Sequence, residues 1–225
     1  MRLLTDGHPD DPAADMAFSE MLLRAAARRE APETVRIYRP GPTVAFGRAE
    51  VHRPGFAAAQ AVARRLGYVP VVRLGGGQAA VYDPDCVIAE IVRTQAGILG
   101  GLEERYADLA ELITATVSAA AMPLQLGELP GEYCPGRYSL HLPDGPKVAG
   151  IAQRVVSGAS LTTAVLVVDG GPRLRDAVAA IYAALGTPVD PGAAGALTDH
   201  HPAARADALA RRLAVAARER YAITG

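Results

Sequence analysis

The sequence predicts a mixed α/β fold, a largely antiparallel sheet with helices packed on it, and three observations lead there. Strand-like runs follow one another from Arg137 to Val168 with no helix between them, separated only by the turn signals Asp144-Gly145 and Ser157-Gly158. Amphipathic helical stretches are grouped before and after those runs, so the regular strand-helix alternation of a doubly wound sheet is missing. The chain has 225 residues, half of them hydrophobic, enough to bury a substantial core, and one domain over residues 1–225 is expected.

The first twelve residues, with Gly7, Pro9 and Pro12, read as an irregular arm. Asp15 is the expected N-cap of a helix reaching Arg29, with Met16, Ala17, Met21, Leu22 and Leu23 forming its apolar face and Glu20 left unassigned. Thr34 to Tyr38 and Thr43 to Gly47 flank a Pro40-Gly41-Pro42 break and read as a hairpin-like strand pair. A helix from Gly55 should end at Gly67 in a left-handed cap, with strand residues Val69 to Arg73 directly after it. Gly75-Gly76-Gly77 then separates two strand-like runs, and Val87 to Val92 continues as a buried strand beside Cys86. Leu109, Leu112, Ile113 and Val117 define the buried face of a helix over Glu103 to Ala121, which Pro123 closes. After a short strand within Leu124 to Leu129, the runs Arg137 to Leu142, Lys147 to Val155 and Ser160 to Val168 form an antiparallel meander. Helices over Leu174 to Leu185 and Ala204 to Tyr221, with an irregular Gly186 to Ala196 stretch between them, complete the chain.

The formal net charge is −1 and the basic residues are spread along the chain, so neither nucleic acid nor an acidic membrane surface is an expected partner. No apolar run reaches the roughly 18 to 20 residues that a membrane span needs. The N-terminus also lacks a basic region followed by an apolar core, and a cytoplasmic location is the expectation. Two cysteines make no disulfide framework and no zinc pattern, so no metal is expected and both side chains should be thiols.

Chemistry concentrates between Gly131 and Arg154, GEYCPGRYSLHLPDGPKVAGIAQR. Of the twenty-three basic residues in the chain only Lys147 is a lysine. Guanidinium stays protonated, whereas an ammonium is a compact charge whose pKa falls on burial and which can give up a proton. A leftover surface lysine is the plain alternative, but Lys147 follows the Asp144-Gly145-Pro146 turn and opens a small-residue strand heading inward. Cys134 sits in a turn context beside Pro135-Gly136, while Cys86 borders an apolar run and fits a small core residue. The three glycines at 75–77 permit backbone angles closed to other residues and close approach of amide groups to a ligand, or else a bulged hairpin turn. Neither the dinucleotide fingerprint nor the phosphate-loop spacing is present there.

Taken together, four stretches resemble the biotin/lipoate protein ligase superfamily, and within it the cysteine-dependent octanoyl and lipoyl transferases. They are Met16-Ala17 with Glu20 and Leu22-Leu23; Arg73 with Gly76-Gly77, Ala79, Val81 and Asp83; Cys134-Pro135-Gly136 with Tyr138; and Lys147 with Ala149-Gly150, Ala152 and Gln153-Arg154. The resemblance implies a class II synthetase and biotinyl protein ligase-like fold. It also implies an acyltransferase that moves an octanoyl or lipoyl group onto a lysine of lipoyl-domain proteins through a thioester. Cys134 and Lys147 would be catalytic, with Arg73, Gly75, Gly76, Gly77, Ala79, Ala149, Gly150 and Gln153 around the substrate. The implied partners are the glycine cleavage H protein, dehydrogenase acyltransferase subunits or an acyl carrier protein.

Two positions depart from the family pattern. Gly75 stands where Ser or Thr is usual, and Tyr82-Asp83 replaces the His-Asp common in the ATP-using ligases. No cofactor is therefore expected. The alternatives are an ATP- and magnesium-dependent lipoate ligase, in which Cys134 is incidental, and a non-catalytic acyl-binding relative. In the transferase reading the Lys147 ammonium lies beside the Cys134 thiolate and later donates a proton to the leaving group. Arg73 orients the glycine loop or the carrier, and amides near Gly76, Gly77 and Gly150 hold the oxyanion. The small residues Ala79, Ala80, Ala149 and Ala152 leave room for the acyl tail.

Overall fold

The computed structural model describes residues 1–95 and 100–224. Its centre is a seven-stranded sheet in the order β1-β2-β6-β10-β9-β8-β7, formed by Arg2–Leu4, Thr34–Tyr38, Cys86–Thr94, Ala159–Val167, Lys147–Val156, Leu140–His141 and Gln125–Leu126 respectively. Among the described residues only the β1–β2 pair is parallel in this sheet. A smaller sheet, order β4-β3-β5, is made of Val69–Val72, Thr43–Phe46 and Ala80–Tyr82. Helices α1 (Pro12–Ala27), α2 (Phe56–Arg65), α3 (Leu102–Ser118), α4 (Gly171–Leu185) and α5 (Ala206–Arg220) pack on these layers.

Strand alternation gives the large sheet two different faces. Val35 and Ile37 on β2, Val87, Ala89 and Ile91 on β6, and Ala164 and Leu166 on β10 share a core with Leu109, Leu112 and Ile113 of α3 and Leu213 of α5. On the opposite face Val92 and Leu161 meet Leu22, Leu23 and Ala26 of α1. Farther along that face, Ile88 and Val167 pack with the small sheet and with Leu174, Val178 and Ile181 of α4. Between these two apolar patches runs a row of directly opposed residues, Arg36, Glu90, Thr163 and Ala152, one from each of β2, β6, β10 and β9. Three of the four are polar, and Arg36 and Glu90 are fully buried.

The mixed, mostly antiparallel architecture and the β8-β9-β10 meander match the expectation from sequence. Several local expectations are corrected. The N-terminal arm is not wholly irregular, because Arg2 to Leu4 add a parallel edge strand to β2. The cap of α1 is Asp11, whose Oδ1 accepts from the Ala14 amide at 3.1 Å, and Pro12 occupies the first turn. Asp15 is instead buried, ion-paired with Arg36 and bound to the His8 ring. Strands β2 and β3 do not form a hairpin; the Pro40-Gly41-Pro42 break carries the chain from one sheet into the other. The expected strand over Arg137 to Leu142 shrinks to Leu140–His141, the rest of that stretch being turn held by Glu132. Gly67 does take a left-handed conformation after α2, at φ +84°.

Candidate active site

A cavity of about 370 Å³ opens on the second face of the large sheet, bounded by α1, the glycine loop of residues 75–77 and the loop carrying Cys134. Cys134, Arg73 and Lys147 line one end, while Ser19, Glu90 and Thr163 line the end under α1. Gly150 and Ala152 on β9 contribute almost no side-chain volume, which is what leaves the space.

Cys134 has a left-handed backbone at φ +43°, unusual for a residue with a Cβ. Side chains from distant elements satisfy both of its backbone polar groups. Its N–H donates to the Tyr182 hydroxyl of α4 at 2.9 Å, and that hydroxyl donates to the Ala79 carbonyl at 2.8 Å. Its carbonyl accepts from Lys147 Nζ at 2.8 Å. The same ammonium donates to the Tyr133 carbonyl at 3.0 Å and to Glu132 Oε1 at 3.3 Å, so three acceptors surround its three protons. Glu132 ties the rest of the turn through the Gly136 amide and the Ser139 hydroxyl. Lys147 is 1% exposed, and burial lowers its pKa while the Glu132 carboxylate pulls the other way.

Held in this way, the sulfur of Cys134 receives two donors from the glycine-loop side. Arg73 Nη2 lies 3.1 Å from Sγ and the Gln78 amide nitrogen 3.3 Å. The cation on the sulfur is thus Arg73, whereas Lys147 acts on the cysteine's carbonyl, a division of labour that the sequence did not suggest. Arg73 is itself anchored to the Gln78 carbonyl at 2.7 Å. Close packing of the two loops depends on Gly77, at φ +95°, where a Cβ would fall 2.8 Å from Sγ and 2.4 Å from Arg73 Nη2. Cys86 lies in the apolar core, where desolvation pushes its thiol pKa far up and disfavours the nucleophilic thiolate.

The remaining residues anticipated from sequence divide. Gly75, Gly76, Gly77 and Gly150 border the cavity together with Arg73. Ala79 and Ala149 are fully buried away from it, Ala79 contributing only its carbonyl to Tyr182. Gln153 faces Arg105, accepting from Nε at 2.9 Å, and donates to the Thr162 hydroxyl. The Gly76 amide is committed to the Gln153 carbonyl at 3.3 Å, and the amide that hydrogen-bonds the sulfur is that of Gln78.

A side chain at Gly75, where the family usually carries Ser or Thr, would press on Ala152 Cβ at 3.0 Å. Asp83 receives two hydrogen bonds from Arg173 of α4 at 2.9 and 2.6 Å and holds the small sheet to that helix. Tyr182 and Glu132 were not anticipated. Glu132 is adjacent to the cysteine loop in sequence, but nothing local marks Tyr182, 48 residues away from the amide it holds. Among the described residues no group of three or more His, Cys, Asp or Glu could hold a metal ion, and no helix is long and apolar enough to cross a membrane.

The fold is that of the lipoate-protein ligases. A crystal structure of lipoate-protein ligase A bound with ATP superposes with a TM-score of 0.75 at 18% identity, covering 99% of this chain and 85% of the other. The bipartite lipoate protein ligase of Thermoplasma acidophilum gives 0.69 at 16% identity, with 99% and 84% covered. The chain belongs to the lipoyl protein ligase A/B catalytic domain family, whose model matches residues 11–187. Among curated relatives, the octanoyl-[GcvH]:protein N-octanoyltransferase of Geobacillus kaustophilus is 30% identical over 165 residues, 73% of this chain and 58% of that protein. The lipoyl-[GcvH]:protein N-lipoyltransferase of Listeria monocytogenes is 30% identical over 73% of this chain and 59% of its own length. The chain thus spans somewhat under two thirds of the relatives it matches.

Proposed function

We propose that this protein is an acyltransferase that moves an octanoyl or lipoyl group onto a lysine of a lipoyl-domain protein through a thioester on Cys134. The observation that carries the reading is the Cys134 sulfur, which lines the cavity and sits between the Arg73 guanidinium and the Gln78 amide. The names of the curated relatives support it, and they suggest the glycine cleavage H protein as a partner. A dehydrogenase acyltransferase subunit or an acyl carrier protein is a further candidate for donor or acceptor.

In the first half-reaction the Cys134 thiolate attacks the carbonyl carbon of the donor's acyl-lysine amide. A C–S bond forms, the C–N bond breaks, and the leaving amine takes a proton from the Lys147 ammonium, whose pKa burial has lowered. In the second, the acceptor amine attacks the thioester. A C–N bond forms, the C–S bond breaks to restore the thiolate, and neutral Lys147 takes the proton lost by the amine. Arg73 stabilises the thiolate before attack and after release through a charge-assisted hydrogen bond. Neither ATP nor a metal ion takes part in this scheme.

Intact-protein mass spectrometry after incubation with octanoylated H protein, or with octanoyl acyl carrier protein, tests the reading. The mass of one octanoyl group should appear on wild type and on Cys86→Ala but not on Cys134→Ala. Capture by Cys134→Ala equal to wild type overturns it, and lipoyl transfer that requires ATP with free lipoate points instead to a ligase.

A further inference from the structure

Under α1 the cavity carries three polar side chains among the apolar Met16, Leu161 and Val165, whereas a saturated acyl tail would call for hydrocarbon alone. Ser19 of α1, Glu90 of β6 and Thr163 of β10 all line it. Glu90 is 2% exposed; its Oε2 lies 2.7 Å from the Ser19 hydroxyl and its Oε1 3.4 Å from the Thr163 hydroxyl. Behind it stands the buried Arg36, 3.6 Å from Oε2 and ion-paired on its other side with Asp15. Two carboxyl groups therefore share one guanidinium, and desolvation raises the pKa of Glu90. The Ser19 hydroxyl also donates to the Asp15 carbonyl at 3.0 Å and accepts from Arg36 Nη1 at 3.3 Å. From Ala152 on β9 to Glu90 on β6 is two strand spacings, about 10 Å, so a medium-length acyl chain that starts at Cys134 and runs across this face over Ala152 would reach this group.

Resting on the transferase reading above, we infer that Glu90, Ser19 and Thr163 form a hydrogen-bonding floor that selects acyl chains carrying a heteroatom at the end remote from the carbonyl. A terminal methyl group would strip water from the floor and return no hydrogen bond, whereas a hydroxyl would give and accept one. The sulfurs of a dithiolane are weak acceptors and should gain less.

The test separates selection from transfer by measuring both. Binding of ω-hydroxyoctanamide, lipoamide and octanamide to the full chain is followed by titration calorimetry. In parallel, ω-hydroxyoctanoyl and octanoyl H protein compete for acyl capture, read by mass spectrometry. Wild type should favour the hydroxylated amide over octanamide by about 10-fold, with lipoamide between them. Glu90→Leu should reduce that ratio to about one, and because Asp15 still pairs Arg36 the variant should fold. The double variant Ser19→Ala/Thr163→Val leaves the Glu90–Arg36 pair in place and should also lower the ratio. Octanamide binding as tightly as the hydroxylated amide, or an undiminished ratio in both variants, overturns the inference. Selective binding without any acyl capture leaves the selective floor standing and sinks the transferase reading.

Discussion

Lys147 commits its three ammonium protons to Glu132, Tyr133 and Cys134, and this geometry changes what a substitution there should do. Lys147→Arg keeps the charge but places a wider, planar and permanently protonated group in a site that is 1% exposed. Transfer should fall by about 10²-fold or more, because proton donation is lost and the cysteine carbonyl is displaced. Alkylation of Cys134 by iodoacetamide should respond much less, since the cation on the sulfur is Arg73. Transfer at the wild-type rate in that variant would refute a catalytic role for Lys147. Tyr182→Phe tests the other half of the clamp. It removes the acceptor for the Cys134 amide and the donor to Ala79, so transfer should fall about 10-fold. The KM for donor protein should be nearly unchanged, because Tyr182 is not among the residues lining the cavity. A rise in KM with kcat intact would assign Tyr182 to substrate binding instead. At this scale Cys134 and Lys147 stood out in the sequence by rarity and turn context. Tyr182 did not, because a hydroxyl on a buried helix face carries no local sign of the loop it will meet.

The glycine loop and the cysteine loop work as one element, since each supplies what the other's geometry requires. Gly77→Ala introduces a Cβ at φ +95°, strained in itself, and drives it into Cys134 Sγ and Arg73 Nη2. The Arg73–sulfur contact should open, cutting the rate of Cys134 alkylation and transfer together by at least 10-fold, whereas Gly76→Ala, with open space around its Cβ, should be mild. Equal effects from the two substitutions would argue against a tight contact between the loops. Elements whose signals are local were legible in the sequence: α2 with its Gly67 terminus, the long apolar face of α3, and the β8-β9-β10 turns. Elements defined by distant partners were not. β1 is three residues long and exists through pairing with β2, and β2 and β3 look like a hairpin until the prolines send them to separate sheets. The cap of α1 was misplaced because two aspartates, Asp11 and Asp15, both suit a helix start, and the choice was made by a buried arginine 21 residues beyond Asp15.

That arginine joins the N-terminal segment, α1, β2 and β6 into one body, and its removal tests the molecule as a whole. Arg36 is buried between Asp15 and Glu90, with its guanidinium carbon 3.8 Å from the Tyr38 ring centroid and its Nε donating to the Asp6 carbonyl at 3.0 Å. A buried ion pair of this kind is poor evidence of net stabilisation, but breaking it from one side leaves carboxylates without a counter-charge. Arg36→Met should therefore cost about 3–5 kcal/mol in urea unfolding at pH 7, far more than the same change at an exposed arginine. The sign of the pH dependence follows from Glu90. Desolvation already raises the folded-state pKa of Glu90 above its unfolded value, about 4, and Arg36 opposes that rise, so without the guanidinium the protonated form is favoured further in the fold. The native state then binds more protons than the unfolded chain, and the stability of the variant is lost as pH rises through the folded values and regained as pH falls toward the unfolded ones. Glu90 in the wild type is already shifted in this direction by desolvation, which Arg36 partly offsets. The gap between variant and wild type should narrow when unfolding is measured at pH 5 rather than pH 7. Adding Glu90→Gln to Arg36→Met should recover part of the loss at pH 7 and flatten the pH dependence, because the group whose pKa burial raises is gone. A double variant no more stable than Arg36→Met, with the same pH profile, would mean that Glu90 is not the group that sets the pH dependence.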